Sequence, residues 1–263
     1  MVKKAALLLA IAGLLAVALL AGRIALLLTA IVVAGAAAGE MFRLLRARGA
    51  LPSAPLGYVG ILALLVVAYV RGERAPIVFP AVIAATLGFA FAVMLMRLDR
   101  VNVTRAVAFT LLPVVTVGLL GAYVVALRSA RDGFRLAWVF ALMAVGAELG
   151  TVAMTWIFRR GALTPRARRT WESYTGAAVG ALLAAVVAAL TAAPPFTWAK
   201  AIILAVLVAA SAATGDLAWA MIEDDLTQDE RGTRRAPAVV LRHIDGALLS
   251  APVFFYVFRV LAR

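Results

Sequence analysis

Two aspartates that flank apolar runs are the residues in this sequence best suited to hold a metal ion. Asp216 follows the apolar run "AIILAVLVAASAATG" at 201–215, and Asp245 precedes another in "RHIDGALLSAPVFFY". Carboxylates at facing helix ends can share a hard cation, and Mg²⁺ would in turn hold the phosphates of a nucleotide. We therefore predict a site at these two aspartates for Mg²⁺, alone or with a second cation. His243 is the only histidine and cysteine is absent, which argues against a zinc site.

A basic segment, "RARRTWESYTG" at 166–176, lies immediately before a further apolar run. The guanidinium groups of Arg168 and Arg169 carry planar donor pairs that match the oxygens of a phosphate group. Phosphate binding is one interpretation of this segment. The alternative is that the arginines follow the general preference of cytoplasmic loops for positive charge, and that Trp171 is an ordinary interfacial anchor.

Two glutamates lie within or beside apolar runs. Glu148, in "LMAVGAELGTVAMTW", is far from any arginine in the chain. An ionisable group inside a bilayer is costly, so Glu148 either serves function or ties two helices together by hydrogen bonds. For Glu40, in "AGEMFRLLRARG", we predict a structural ion pair with Arg43 three residues later. The acids between 223 and 230 are predicted to lie in a solvated polar loop.

The elements that must position these residues are predicted to be membrane-spanning helices. Hydrophobic residues make up 65% of the 263 residues, and a helix needs about 20 mostly apolar residues to cross the hydrocarbon core. The predicted fold is all-α, a polytopic membrane protein with about nine transmembrane helices. We expect a single integral membrane domain over 1–263, with N-terminal helices in 1–130 and the catalytic half in 131–263. The predicted spans lie near 5–22, 24–42, 56–70, 76–96, 106–127, 135–158, 175–192, 197–214 and 244–261.

The charge distribution predicts the orientation of the chain. Most of the 26 Lys and Arg residues fall in connections on the side of the N-terminus, which places that side in the cytoplasm. The longest polar connections, roughly 159–174 and 215–243, would then face the cytoplasm. The net charge of +13 is explained by arginines that meet anionic lipid headgroups. No basic stretch outside the spans is interleaved with aromatic residues, so no nucleic acid is expected as a partner. The apolar N-terminal run is interpreted as a retained first helix.

Three stretches together resemble the bacterial CDP-diacylglycerol synthases, which are phosphatidate cytidylyltransferases. They are "RRTWES" at 168–173, "GDLAWAMI" at 215–222 and "HIDGALLSAPVFFY" at 243–256. The resemblance implies a membrane enzyme that joins CTP and phosphatidate into CDP-diacylglycerol and releases pyrophosphate. It further implies a Mg²⁺ requirement, a site that faces the cytoplasm and a location in the bacterial inner membrane. A homodimer is compatible with this interpretation.

The resemblance also implies roles for individual residues. Asp216 and Asp245 would be metal-binding and catalytic carboxylates, and Glu172 would be a further catalytic residue. Substrate phosphates or lipid would be bound by the remaining candidates, which are Arg168, Arg169, Thr170, Trp171 and Glu148. In the implied reaction, a phosphatidate oxygen attacks the α-phosphorus of CTP while the metal neutralises charge on the departing pyrophosphate.

The same comparison leaves two other functions open. The acidic pair Glu223 and Asp224 stands where the family has Lys-Arg, and Arg242-His243 stands where it has Asp-Arg. A catalytically inactive homologue that binds lipid or a partner membrane protein is therefore the first alternative. The second is an ion- or proton-coupled transporter that uses Glu148, although no inverted pair of interrupted helices supports it.

Overall fold

Long apolar runs separated by short polar connections produce an architecture built from helices. The computed structural model describes residues 13–14, 16–49, 51–96, 102–158, 171–191, 197–227 and 238–261, and this part of the chain contains no strand. Residues 13–14 and 16–21 are helical and precede Gly22. The helices that follow are α1 Arg23–Arg46, α2 Ala54–Arg71, α3 Ala75–Leu95, α4 Val103–Pro113, α5 Leu120–Arg128, α6 Gly133–Phe158, α7 Trp171–Thr191, α8 Trp198–Thr227 and α9 Leu241–Leu261.

The helices divide into two units, which are named here by their main segments. The N-terminal unit comprises Ala21–Arg131 together with Asp225–Arg242. The C-terminal unit comprises Asp132–Asp224 and His243–Arg263, with Met1–Leu20. The candidate catalytic aspartates both belong to the C-terminal unit. The sequence predicted one membrane domain over 1–263, with N-terminal helices in 1–130 and a catalytic half in 131–263. This organisation stays a prediction.

In the N-terminal unit, α2 and α3 form an antiparallel hairpin. A single 3₁₀ turn, Gly72–Arg74, joins them, and Gly60 of α2 lies against Thr86 of α3. Gly72 adopts a φ of +51°, and a Cβ at this position would lie 2.5 Å from the carbonyl oxygen of Ser129. Only glycine tolerates both the left-handed backbone and this close approach, so Gly72 fixes the turn.

A π-helical segment, Val114–Leu119, interrupts the long helix between α4 and α5. It follows Pro113, which has no backbone N–H to donate to the preceding turn. The hydroxyls of Thr110 and Thr116 donate to the carbonyl oxygens four residues earlier, at 2.8 and 2.7 Å. Such hydroxyl bonds and a missing N–H both loosen the regular ladder, which explains why the wider turn occurs here.

In the C-terminal unit, α6 and α7 cross in direct backbone contact. Gly146 and Gly150 of α6 face Gly180 and Gly176 of α7, so each helix presents a Gly-x-x-x-Gly pair and the two run antiparallel. A Cβ at Gly146 would lie 2.6 Å from the carbonyl oxygen of Gly180, and one at Gly150 would collide with the carbonyl oxygen of Gly176. Small residues at this spacing allow helices to pack closely in lipid.

Seven segments in the described part of the chain are long and apolar enough to cross a membrane. The expectation of an all-α polytopic membrane protein is therefore confirmed, but the number differs from the predicted nine. One predicted span, 5–22, lies mostly outside the described residues. Two others, 56–70 and 76–96, fall together within Ala54–Leu95, a 42-residue apolar segment that contains the α2–α3 hairpin.

Two helices extend beyond the spans predicted from hydropathy. The span predicted to end at 214 continues as α8 to Thr227, so Asp216 lies inside a helix and not at its end. The span predicted to begin at 175 starts as α7 at Trp171. Hydropathy follows exposure to lipid, and it cannot detect a helix whose polar residues face other helices.

Candidate active site

The crossing of α8 and α9 brings the backbones beside the two predicted metal-binding aspartates into contact. A Cβ at Gly215 would lie 2.8 Å from the carbonyl oxygen of Asp245, and a Cβ at Gly246 would lie 3.2 Å from the Cβ of Ala212. Glycine thus stands next to each aspartate at the point of closest approach. Asp216 is 2% exposed and Asp245 is 6% exposed. Two buried carboxylates, 29 positions apart in sequence, therefore flank one helix crossing.

Asp216 is held by a tyrosine from a third helix. The phenol of Tyr174 in α7 donates a hydrogen bond of 2.9 Å to Oδ2 of Asp216. Oδ1 of Asp245 accepts the backbone N–H of Gly246 at 2.7 Å. A hydrogen bond to one oxygen fixes the orientation of the carboxylate group. Its remaining lone pairs then point in a defined direction, as binding of a cation requires. Tyr174 belongs to the basic segment at 166–176, and no local pattern there indicates its contact with a residue 42 positions later.

The length of α8 places Asp216 near one boundary of the hydrocarbon core. Asp216 comes 18 residues after Trp198, which is about 27 Å along a helix that rises about 1.5 Å per residue. The hydrocarbon core is about 30 Å thick, so a helix that enters near Trp198 would have Asp216 close to the opposite headgroups. Asp245 lies one turn after the start of α9 at Leu241.

The face of α8 that carries Asp216 continues as a buried polar stripe. Trp219 and Glu223 lie one and two turns after Asp216, and they are 4% and 5% exposed. Nε1 of Trp219 is buried without a hydrogen-bond acceptor in the described part of the structure. The prediction that the acids from 223 onward lie in a solvated loop is wrong for Glu223, which is buried within α8. Asp224 and Asp225 are also helical, whereas Asp229 and Glu230 lie outside the described residues.

The other sequence-predicted site residues occupy varied positions. Glu172 is half-buried in the first turn of α7, two residues before Tyr174, and Trp171 beside it is 68% exposed. Glu148 is half-buried in α6 and lies between Gly146 and Gly150, on the side of the helix opposite those glycines. Arg168, Arg169 and Thr170 lie outside the residues that the structure describes, so their predicted phosphate contacts stay predictions.

The donor set is suited to a hard divalent cation. No group of three or more His, Asp or Glu side chains that could hold a metal occurs among the described residues. Two carboxylates are nevertheless enough for Mg²⁺, which prefers oxygen ligands and usually completes its coordination with water and substrate phosphates. The oxygen donors of Asp216 and Asp245 therefore fit this ion, and they are unsuited to soft metals that need thiolate.

Glu40 has a different partner from the one predicted. Its carboxylate accepts the backbone N–H groups of Val239, Val240 and Leu241, at distances between 2.9 and 3.1 Å. The predicted ion pair with Arg43 does not form. The partner lies 200 positions away in sequence, beyond the reach of any local pattern.

The fold and the site together define a polytopic, all-helical membrane protein with two buried carboxylates at one helix crossing. Comparison with family models matches residues 3–226 to the cytidylyltransferase family. The chain belongs to this family, which is that of the CDP-diacylglycerol synthases, and the resemblance seen in the sequence is confirmed. Membership supports a nucleotidyltransferase of lipid biosynthesis. The matched range includes Glu172 and Asp216 and ends before Asp245. No curated protein sequence matches the chain.

Proposed function

We propose that the protein transfers CMP from CTP to phosphatidate, giving CDP-diacylglycerol and pyrophosphate at the cytoplasmic face of a bacterial inner membrane. In this reaction a phosphate oxygen of phosphatidate attacks the α-phosphorus of CTP. A new P–O bond forms, the bond between the α-phosphorus and its bridging oxygen breaks, and pyrophosphate leaves with that oxygen.

One observation carries the proposal, namely the glycine contact between α8 and α9 beside Asp216 and Asp245. Nucleotidyl transfer needs negative oxygen ligands that hold a cation against a triphosphate. The two carboxylates come from separate parts of the chain, are buried, and flank a crossing at which the backbones touch. Family membership, shown by an independent comparison, supports the same chemistry.

The proposed roles of the candidate residues follow from their chemistry. Asp216 and Asp245 would hold Mg²⁺, which when bound supplies positive charge to the triphosphate. Tyr174 orients Asp216. The indole N–H of Trp219 could donate a hydrogen bond to a phosphate or glycerol oxygen of a substrate. Glu172 lies at the start of the helix that carries Tyr174, where it can contact a substrate or a basic side chain. We assign substrate binding to Arg168, Arg169, Thr170, Trp171 and Glu148, as the sequence predicts.

The proposal is tested with purified protein, vesicles that contain phosphatidate, α-labelled CTP and Mg²⁺. Labelled CDP-diacylglycerol is expected from the wild type. Asp216→Asn and Asp245→Asn should each reduce kcat/KM by more than about 100-fold, because even residues that only support a metal ligand cost about 10–100-fold. Chelation of Mg²⁺ should abolish the product.

Asp225→Asn is the matched control, since the same substitution is made on the same helix. Asp225 is 83% exposed and forms only a long surface ion pair with Arg48, and such pairs contribute little to stability. Its activity should equal that of the wild type. A folded wild-type protein that makes no CDP-diacylglycerol under these conditions would contradict the proposed activity.

A second candidate is a lipid-binding homologue without catalytic activity. The observation that favours it is the burial of Glu223 on the same face of α8 as Asp216. The resemblance places a basic residue at this position, so a carboxylate here repels a triphosphate where attraction is expected. This candidate predicts saturable binding of phosphatidate in vesicles with no CTP-dependent product, and turnover in the assay above would exclude it.

A further inference from the structure

The start of α9 has no capping residue of its own. The residues before Leu241 are Ala238, Val239 and Val240, and none of these side chains can accept a hydrogen bond. The first N–H groups of any helix have no partner within the helix, so they require an acceptor from elsewhere. The acceptor here is the carboxylate of Glu40, which belongs to α1.

The geometry of this contact is a two-oxygen clamp. Oε1 of Glu40 accepts from Val239 and Val240 at 3.0 and 3.1 Å, and Oε2 accepts from Val240 and Leu241 at 2.9 and 3.1 Å. A negative charge at this end also interacts favourably with the helix dipole. Three successive N–H groups are therefore held by one half-buried side chain.

The clamp lies one helical turn before Asp245. In an α-helix the N–H of residue 245 pairs with the carbonyl of residue 241, so the first turn of α9 determines where the Asp245 side chain points. The carbonyl of Asp245 also lies at the close approach to Gly215, so a shift of this turn would alter the contact between α8 and α9. Fraying of the first turn would consequently move a proposed metal ligand.

We propose that Glu40 is a positioning residue for the metal site: it caps α9 and thereby holds Asp245 in place. This inference rests on the proposed function, because it assigns Asp245 to a cation. Glu40 itself touches neither substrate nor metal. Its effect on the reaction is transmitted through the first turn of α9.

The experiment compares the wild type with Glu40→Ala and Glu40→Gln by two measurements that need no turnover. Hydrogen exchange followed by mass spectrometry reports protection of the amides at 239–241. Binding of Mn²⁺, a paramagnetic substitute for Mg²⁺, reports the metal site. In Glu40→Ala we expect exchange at 239–241 to rise by about tenfold and the Kd for Mn²⁺ to rise by about tenfold. Glu40→Gln keeps one acceptor oxygen and should give smaller changes in both.

Glu73→Ala is the matched control, because Glu73 also accepts a backbone N–H in the same unit, that of Arg131 at 3.0 Å. It should leave both measurements unchanged. Unaltered exchange at 239–241 in Glu40→Ala would refute the cap. Raised exchange with unaltered Mn²⁺ affinity would refute the positioning role. A wild type that neither binds Mn²⁺ nor makes product would refute the proposed function, and this outcome is separate from any difference between variants.

Discussion

Two carboxylates in this protein, those of Asp216 and Glu40, are oriented by partners from distant parts of the chain. Asp216 accepts a hydrogen bond from Tyr174, which is 42 positions earlier, and Glu40 binds N–H groups 200 positions later. A buried carboxylate without such partners would be destabilising, because its charge loses the stabilisation that water provides. These contacts therefore both allow the charges to be buried and fix their directions, which the proposed chemistry requires.

Tyr174→Phe is expected to lower kcat/KM for CDP-diacylglycerol formation by about tenfold. Loss of a group that orients a metal ligand lowers activity by about 10–100-fold, and one hydroxyl belongs at the lower end of this range. The substitution deletes one hydroxyl and leaves the packing of α7 intact. Tyr256→Phe is the matched control, since Tyr256 belongs to the same unit and is 48% exposed. Equal activity of the two variants would contradict the role given to Tyr174.

Single helices were predicted well where hydropathy and exposure to lipid coincide, and poorly where they do not. The predicted span 135–158 agrees with α6, Gly133–Phe158, because that helix is apolar apart from Arg135 near its start and the single acid Glu148. The last turns of α8 were missed because Asp216 and Glu223 lowered the hydropathy, although both side chains are buried. The two aspartates of the candidate site were proposed from residue type and position, and their role in metal binding stays a prediction. Their contact through Gly215 could not be found, since it depends on how two helices cross.

The crossing of α6 and α7 supplies a test at the level of helix packing. Gly150→Ala places a methyl group against the carbonyl oxygen of Gly176, and overpacking of this kind costs about 1–3 kcal/mol. We expect a lower midpoint of thermal unfolding, followed by tryptophan fluorescence in detergent. Gly88→Ala is the matched control, because a Cβ at Gly88 meets nothing within 4 Å. An unchanged midpoint for Gly150→Ala would show that the two helices are farther apart.

The connections between helices of the N-terminal unit fall into two sets, according to the contacts that they make. Arg48 pairs with Asp225 and Glu40 binds the start of α9, so the end of α1 and the α8–α9 connection lie together. Glu73 accepts a hydrogen bond from the backbone of Arg131, so the α2–α3 turn and the α5–α6 turn lie together. This is the grouping that alternating membrane crossings require, whichever set faces the cytoplasm, so the orientation predicted from charge stays a prediction.

The orientation is tested by single cysteines, for which the cysteine-free chain is a ready background. Arg46 and Arg74 are both exposed, and they lie in the first and second sets of connections. In intact bacterial cells, a membrane-impermeant maleimide should label Arg74→Cys but should label Arg46→Cys only after lysis. The wild type should remain unlabelled. The reverse pattern would place the N-terminus, and the proposed site, outside the cytoplasm.

The clamp between Glu40 and α9 also has a consequence for biosynthesis. The ribosome makes the acceptor 200 residues before it makes the amides that occupy it. During translation α1 is therefore made long before the amides that its glutamate caps. The first turn of α9 gains its acceptor only when it docks against α1. Completion of α9 is thus coupled to the correct placement of a helix made much earlier.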